Sequence, residues 1–204
     1  MKESYDNLDE YMADLQAEIE KNPDCANHLY NLGLAQLSKR DFVGAERSFL
    51  ESVRKAPRLA ESYVQLGGIC LQQGDLEGCL NYNKEAANVR PKNTIAWGNI
   101  GFVHMQRGEV DKAIDALRKA LRWDPEFLQA KATLASAYLA TGEIDDSIKL
   151  SEEVIKAQPT FAPAYNNLAI AWLEKGDKAQ AKTFAQQAID NGFDVAPEIL
   201  NEIG

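Results

Sequence analysis

The chain has 204 residues, of which 45% are hydrophobic and 26% are charged, a composition typical of a folded globular protein. Its formal net charge of −9 argues against a nucleic-acid-binding surface, and its three cysteines do not supply a disulfide framework. No apolar run reaches the roughly 18 residues of a membrane helix, and the first residues lack the apolar core of a signal peptide. We therefore expect a chain from a reducing compartment, with the cytoplasm as its location and no insertion into membranes.

The first predicted element is an acidic amphipathic helix over residues 4–21. Eight acidic residues against two lysines give residues 1–24 a charge of −6, so most of the net charge lies here. Apolar side chains recur at helical spacing along the opposite face: Tyr5, Leu8, Tyr11, Met12, Leu15 and Ile19. The pattern predicts that this N-terminal segment, residues 1–25, packs its apolar face against the chain that follows it.

A period of 34 residues governs the rest of the chain. The seven prolines fall on two ladders with this spacing: Pro23, Pro57, Pro91, Pro125 and Pro159, then Pro163 and Pro197. Glycines repeat at the same interval: Gly33, Gly67 and Gly101, then Gly74, Gly108, Gly142 and Gly176. A fixed period of this length indicates a tandem array of structural repeats.

Each period predicts two helices joined by a short turn. In the third, one helix covers residues 95–107, Gly108-Glu109 forms the turn, and a second helix covers residues 110–123 before Asp124-Pro125 ends it. The first repeat has Arg40 where the later turns have glycine. A non-glycine residue in the left-handed region costs about 1 kcal/mol, so we expect that turn to be looser or differently capped.

These features resemble the tetratricopeptide repeat (TPR) family, over residues 26–195. Positions are counted from residues 26, 60, 94, 128 and 162. Small residues recur at position eight (Gly33, Gly67, Gly101, Ala135, Ala169) and at position twenty (Ala45, Cys79, Ala113, Ser147, Ala181). The resemblance implies an all-α, right-handed α-solenoid of five helix-turn-helix repeats, at residues 26–59, 60–93, 94–127, 128–161 and 162–195. Residues 1–25 would cap one end, and residues 196–204 would begin a C-terminal capping helix that leaves its end incompletely covered.

No constellation of residues predicts catalysis, a cofactor or a metal. The two histidines are far apart, and His104 occupies position eleven, a structural position between the two helices of a repeat. Cys70 and Cys79 would face each other between the helices of repeat two as small core residues. We expect a non-catalytic protein without a cofactor or metal.

The resemblance also implies a binding groove. In the family, positions two, five, six, nine, twelve and thirteen of the first helix in each repeat line a concave surface. Position six reads Asn31, Gln65, Asn99, Thr133 and Asn167, and an amide side chain matches one peptide unit. Position nine includes Leu34, Phe102 and Ile170, and position twelve reads Leu37, Leu71, Met105, Leu139 and Leu173. We expect exposed apolar rows beside an amide stripe, suited to a peptide or an amphipathic helix of a partner protein.

One ligand class of the family is not expected. TPR domains that hold the C-terminal carboxylate of Hsp70 or Hsp90 use lysine and arginine at defined groove positions. The matching positions here are uncharged: Tyr30, Leu34, Gln65, Ile95 and Asn99. No two-cation clamp can form.

Repeat four departs from the family pattern. Lys131 replaces the usual aromatic residue at position four, and Ser147 and Ser151 stand where small or apolar residues are usual. We expect the Tyr138 hydroxyl to serve as a hydrogen-bond partner for these serines.

Two alternatives to a binding scaffold remain. A self-assembling structural TPR protein would oligomerise through its terminal helices. RNA binding, known for pentatricopeptide arrays, is disfavoured because those arrays have a period of 35 and basic faces, whereas this chain has a period of 34 and is acidic.

Overall fold

A computed structural model describes residues 7–204, so Tyr5 and the rest of the first six residues of the predicted N-terminal helix lie outside the described part. Within residues 7–204 the chain forms twelve α-helices and no β-strand. The helices are α1 (Leu8–Lys21), α2 (Ala26–Ser38), α3 (Phe42–Lys55), α4 (Ala60–Gln72), α5 (Leu76–Val89), α6 (Thr94–Gln106), α7 (Val110–Trp123), α8 (Leu128–Thr141), α9 (Ile144–Ala157), α10 (Ala162–Glu174), α11 (Lys178–Asp190) and α12 (Pro197–Ile203). The predicted all-α fold of tandem helical repeats is confirmed.

The first helices of successive repeats begin at a constant interval. Helices α2, α4, α6, α8 and α10 start at residues 26, 60, 94, 128 and 162, which are the first residues of the five predicted repeats. Each is followed by a turn of three residues or fewer and a second helix of 13 or 14 residues. We refer to the two helices of a repeat as helix A and helix B.

The turn of the first repeat has the same backbone geometry as the others. Arg40 adopts φ 61°, close to the φ of 78° at Gly74 in the next repeat. Its hydrogen bonds also match, because Arg40 N donates to Leu37 O at 2.9 Å and Asp41 N to Gln36 O at 2.9 Å. The expectation of a looser turn is wrong, since Arg40 accepts the left-handed conformation.

The acidic residue at the end of each turn has a different role when it is aspartate than when it is glutamate. Aspartate caps the next helix, as Asp41 and Asp75 accept from the N–H groups of Gly44 and Gly78 at 2.9 Å. Glu109 and Glu143 make no such capping bond. Glutamate is one methylene longer, and these two carboxylates bond other side chains instead.

Close packing of helices A and B depends on the small residue at position eight. An added Cβ at Gly33 would lie 2.6 Å from the ring of Phe49, and one at Gly101 would lie 2.5 Å from Leu117 Cγ. Both partner side chains are fully buried. Glycine at this position therefore lets the two helices approach each other.

The chain divides into two compact units, Met1–Asn99 and Ile100–Gly204, called unit 1 and unit 2. In unit 1, Ala45, Phe49, Leu66 and Ile69 form a buried cluster. Helix α1 packs on α2 and buries Leu15 completely, and Lys39 donates to Asp9 of α1. Residues 8–21 therefore lie against the first repeat.

In unit 2, a short helix packs against the C-terminal end of the repeats. Helix α12 packs on α10 and α11, where Ile203 is 7% exposed and joins a cluster with Ala169, Ala181 and Ala185. Val195, in the loop before α12, is also buried and contacts the cluster that contains Tyr165 and Ala188. Helix α12 therefore covers part of this end, while its Leu200 remains 40% exposed.

Candidate functional site

A concave pocket of about 330 Å³ lies on the helix A side chains of unit 2. Helix α6 contributes the residues of repeat three, α8 those of repeat four and α10 those of repeat five; Phe193 comes from the loop after α11. The pocket, called the unit 2 pocket, is lined by Phe102, Met105, Gln106, Gln129, Ala132, Thr133, Ser136, Pro163, Asn166, Asn167 and Phe193. Because the repeats share one period, the same positions of three helices converge on one surface.

Four of the nine predicted groove residues meet at this pocket: Phe102, Met105, Thr133 and Asn167. The sequence did not single out Gln129 and Pro163, which occupy position two, or Asn166, which occupies position five. The family's groove positions would have found all three. Phe193 follows the last helix of repeat five, and no register position in the array points to it.

Two polar groups of the pocket donate hydrogen bonds within the chain. Asn167 is 5% exposed, and its Nδ2 donates to the backbone oxygen of Ala132, in the preceding helix A, at 2.9 Å. Thr133 Oγ1 donates to Gln129 O at 2.8 Å, one turn earlier in α8. Asn167 therefore links α10 to α8 within the chain.

A third polar group has no partner. Asn166 Oδ1 is buried and accepts no hydrogen bond from any residue that the structure describes. The other amides of the lining, Gln106 and Gln129, are exposed. No charged side chain lines the unit 2 pocket.

The predicted groove residues of unit 1 are each engaged in packing or half-buried. Leu34 packs against the Phe49 cluster, and Asn99 Nδ2 donates to Asn83 Oδ1 at 3.0 Å. Gln65 hydrogen-bonds the Tyr30 side chain, and Asn31 is half-buried. In unit 2, Ile170 is also half-buried and lies outside the pocket lining.

The predicted exposure of the apolar rows is wrong. None of their side chains is among the exposed large hydrophobic residues, and all are half-buried. Leu34 and Leu37 pack on the core of unit 1, and Leu173 packs on the cluster that contains Ile203. Since position nine or twelve turns partly toward the neighbouring helix, these residues serve the core as well as the groove.

Comparison with known families agrees with the repeat geometry. Tetratricopeptide repeat profiles match residues 13–60 and 71–126, residues 104–165 and residues 162–191. The chain belongs to the tetratricopeptide repeat family. TPR chains of this kind are typically protein-interaction scaffolds.

Solved TPR structures have the same fold. MamA is 23% identical with a TM-score of 0.67, over 84% of this chain and 98% of that one. YrrB, described as a TPR protein with an unusual peptide-binding site, is 17% identical with a TM-score of 0.71, over 87% and 92%. PilF of Pseudomonas aeruginosa is 16% identical with a TM-score of 0.77, over 89% and 82%. No curated protein sequence matches the chain significantly.

The buried histidine of repeat three, His104, pairs with Glu109. It is buried, and its Nδ1 lies 2.5 Å from Glu109 Oε2 across the turn between α6 and α7. Hydrogen bonds from His104 and then Lys112 lower the pKa of the Glu109 carboxyl. The His104–Glu109 pair therefore bridges a turn at which Glu109 makes no capping bond to α7.

The two cysteines of repeat two are buried thiols. Cys70 is 7% exposed and Cys79 is fully buried, and neither forms a disulfide. Burial, more than any neighbouring charge, raises the pKa of the Cys79 thiol to about 11 and also raises that of Cys70. The reactive thiolate is therefore disfavoured at both positions.

The unusual residues of repeat four do not make the contacts that the sequence led us to expect. Lys131 is 8% exposed, and its Nζ pairs with Glu153 at 3.0 Å. Ser147 and Ser151 are fully buried, and their hydroxyls have no hydrogen-bond partner in the described part of the chain. The expectation for Tyr138 is wrong, because its hydroxyl accepts from Arg118 Nη2 at 3.2 Å.

Neither a metal cluster nor a membrane helix is found in the part of the chain that the structure describes. No three His, Cys, Asp or Glu side chains converge within residues 7–204. None of the helices in that range is long and apolar enough to span a bilayer.

Proposed function

We propose that this TPR chain is a non-catalytic scaffold that binds a peptide segment of a partner protein in the unit 2 pocket. The observation that supports the proposal is the meeting of Phe102, Met105, Thr133 and Asn167, predicted from separate repeats, in one pocket with an apolar floor. Apolar lining with a few placed polar groups is typical of sites that bind ligands.

The energetics favour binding to a surface that is already ordered. Phe102 and Met105 extend from α6, and Asn167 is held by its bond to Ala132. A partner segment therefore meets side chains whose conformational entropy is already restricted, which lowers the cost of association. In unit 1, we extend the proposal to Asn31, Gln65 and Asn99 as further polar contacts, with Leu34 as an apolar one.

The proposal includes what the chain does not bind. We expect no cofactor, no nucleic acid and no Hsp70 or Hsp90 tail, because the chain is acidic and the pocket lining has no cation. Its unpaired cysteines favour the cytoplasm as the location.

A displayed library of short linear peptides, selected against the full chain, tests the proposal. Peptides that use the unit 2 pocket should lose about tenfold or more in affinity when Phe102 and Met105 are both changed to alanine, because each loses buried apolar contact. Circular dichroism and a urea titration would check that the double variant remains folded.

Ile189→Ala is the matched control, since Ile189 is an exposed apolar residue of unit 2 that does not line the pocket. It should leave peptide affinity unchanged. If the selected peptides bound the Phe102 and Met105 variant as tightly as the natural chain, the site would lie elsewhere and the proposal would be wrong.

The alternative of self-assembly through the terminal helices has less support. Helix α1 packs on α2 and α12 packs on α10 and α11 of the same chain. Both terminal helices therefore have an intramolecular role, and no separate observation favours a second function.

A further inference from the structure

The outer face of α3 differs from the same face of helix B in the other repeats. Side chains at repeat positions 18, 22, 25 and 29 are exposed in all five repeats. Repeat one has Val43, Arg47, Leu50 and Arg54 at these positions, which we call the α3 face. The other repeats have charged residues, polar residues or alanine there: Glu77, Asn81, Lys84 and Asn88; Asp111, Asp115, Arg118 and Arg122; Asp145, Lys149, Glu152 and Lys156; Ala179, Thr183, Gln186 and Asp190.

Two large apolar side chains of the α3 face are exposed to solvent. Val43 is 70% exposed and Leu50 is 41% exposed. Their spacing of seven residues places them on one side of the helix, about 10 Å apart along its axis. The other four repeats form the same helix with polar residues or alanine at both positions, so the fold does not require apolar side chains there. Two such residues on one face indicate a contact surface.

The charged residues of the α3 face are both arginines. Arg47 lies between Val43 and Leu50 on the same side of the helix, and no ion pair of Arg47 is found within residues 7–204. Arg54 pairs with Glu51 at 2.7 Å, but its side chain stays 64% exposed. The four positions carry a charge of +2 in repeat one and of zero or −1 in the other repeats. The α3 face therefore combines apolar and positive side chains in a chain whose net charge is −9.

A strained arginine lies at the start of the same helix. Arg40 is exposed, comes three residues before Val43 and pairs with no acidic residue in the part of the chain that the structure describes. Its φ of 61° is one that the other four repeats reach with glycine. An arginine here costs stability and makes no structural contact in return. Strain of this kind points to a use for the side chain.

We infer that the α3 face, together with Arg40, is a second docking surface, which binds an acidic segment of a partner protein that also carries apolar side chains. Val43 and Leu50 lose contact with water against the apolar side chains of that segment. Arg40 and Arg47 pair with its carboxylates, which fix its orientation. The surface lies entirely in unit 1, so the inference does not depend on the unit 2 pocket.

The charge distribution favours an acidic segment over an anionic membrane. A membrane is a wide surface that meets the charge of the whole chain, −9, of which −6 lies in residues 1–24. A short segment meets only the positive charge around α3. The contact is small, so we expect weak binding that falls as salt is added.

A displayed peptide library rich in aspartate, glutamate and leucine, selected against the full chain, supplies the probe. One variant gives α3 the residues that repeat two has at the same positions: Val43→Glu, Arg47→Asn and Leu50→Lys. The affinity of the selected peptides should fall about tenfold or more, because apolar contact and a charge pair are both lost. The urea midpoint should stay at its natural value, since repeat two folds with these residues.

Two single changes in unit 2 are the matched controls. Lys149→Asn removes a positive charge at the position that corresponds to Arg47, and Ile189→Ala removes an exposed apolar side chain. Both should leave the affinity of the acidic peptides unchanged. A loss of affinity in Lys149→Asn equal to that in Arg47→Asn would show that the peptides respond to the net charge alone, and would overturn the inference.

Arg40→Gly separates a binding role from a structural one. It should lower the affinity of the acidic peptides about threefold at low salt and have little effect at high salt, because an exposed charge pair is lost. The same change should raise the urea midpoint, because it relieves backbone strain. Natural affinity in Arg40→Gly would remove Arg40 from the surface.

The remaining outcomes distinguish the inference from its rivals. Selection of no acidic peptide, or natural affinity in the triple variant, would overturn the inference. Acidic peptides that required Phe102 and Met105 instead would be ligands of the unit 2 pocket, which would overturn the α3 surface and leave the proposed function intact. Vesicles of phosphatidylcholine and phosphatidylserine should not co-sediment with the chain. Co-sedimentation that the triple variant abolished would assign the face to a membrane.

Discussion

At the scale of single residues, Arg40 adopts a left-handed backbone conformation that glycine adopts at the same position of the other four repeats. Arg40 has φ 61°, whereas Gly74, Gly108, Gly142 and Gly176 have φ between 70° and 81°. A side chain in this region crowds the following carbonyl, which costs about 1–2 kcal/mol. The hydrogen bonds of the turn hold Arg40 there despite that cost.

Replacing Arg40 with glycine should therefore stabilise the chain. We expect a net gain of roughly 0.5–1 kcal/mol in the free energy of unfolding, because relief of strain exceeds the greater entropy of glycine in the unfolded chain. Urea titration followed by circular dichroism would measure the change. Gly142→Ala is the reverse control: no atom lies within 4 Å of an added Cβ, so its loss of stability would come from the backbone alone. Equal stability in all three proteins would contradict this account.

The buried serines of repeat four give a second residue-scale prediction. Ser147→Ala and Ser151→Ala should each raise the free energy of unfolding by about 1 kcal/mol, because each removes a buried hydroxyl without a partner and adds a better helix former. Ser52→Ala is the matched control in unit 1. Its hydroxyl bonds Ala26 O at 3.0 Å and Ser62 Oγ at 2.9 Å, so its loss should destabilise. Destabilisation by all three changes would indicate that Ser147 and Ser151 are in fact satisfied.

At the scale of helices, α1 is an integral part of unit 1. Leu15 is the residue of α1 that is fully buried, whereas its neighbour Gln16 is exposed. Leu15→Ala should cost about 2–5 kcal/mol, and deletion of residues 1–22 should also promote aggregation by uncovering α2.

Thermal unfolding with light scattering would measure both effects, with Gln16→Ala as the control that keeps the natural melting temperature. A truncated chain that melted like the full chain and stayed soluble would show that α1 is a free arm. It would then be available to a partner or a second copy.

At the scale of the whole molecule, the mass of the protein in solution distinguishes a monomeric scaffold from a self-assembling protein. Because α1 and α12 pack on their own chain, we expect sedimentation equilibrium to give the monomer mass across a wide concentration range. A mass that rose with concentration, and returned to the monomer value when the exposed Leu200 of α12 was changed to glutamate, would favour assembly through that helix. Leu50→Glu, at an exposed leucine of α3, is the control for added charge.

The sequence by itself determined the architecture, because its signals are local. Proline and glycine act on the residues next to them, so their 34-residue spacing located the start of each helix A and the turns of repeats two to five. The small residues at position eight also predicted close packing of helices A and B, because a short turn makes these two helices neighbours.

Only the tertiary structure decided how the polar side chains of that groove are used. Asn167 bonds a carbonyl 35 residues away, and Asn99 bonds an asparagine 16 residues away, so neither is simply free for a ligand. Asn166, which the sequence did not single out, has the unsatisfied oxygen, and Phe193 reaches the pocket from beyond the last helix B. A hydrogen bond depends on distances of tenths of an ångström between helices, whereas a repeat period fixes only which face a residue shares.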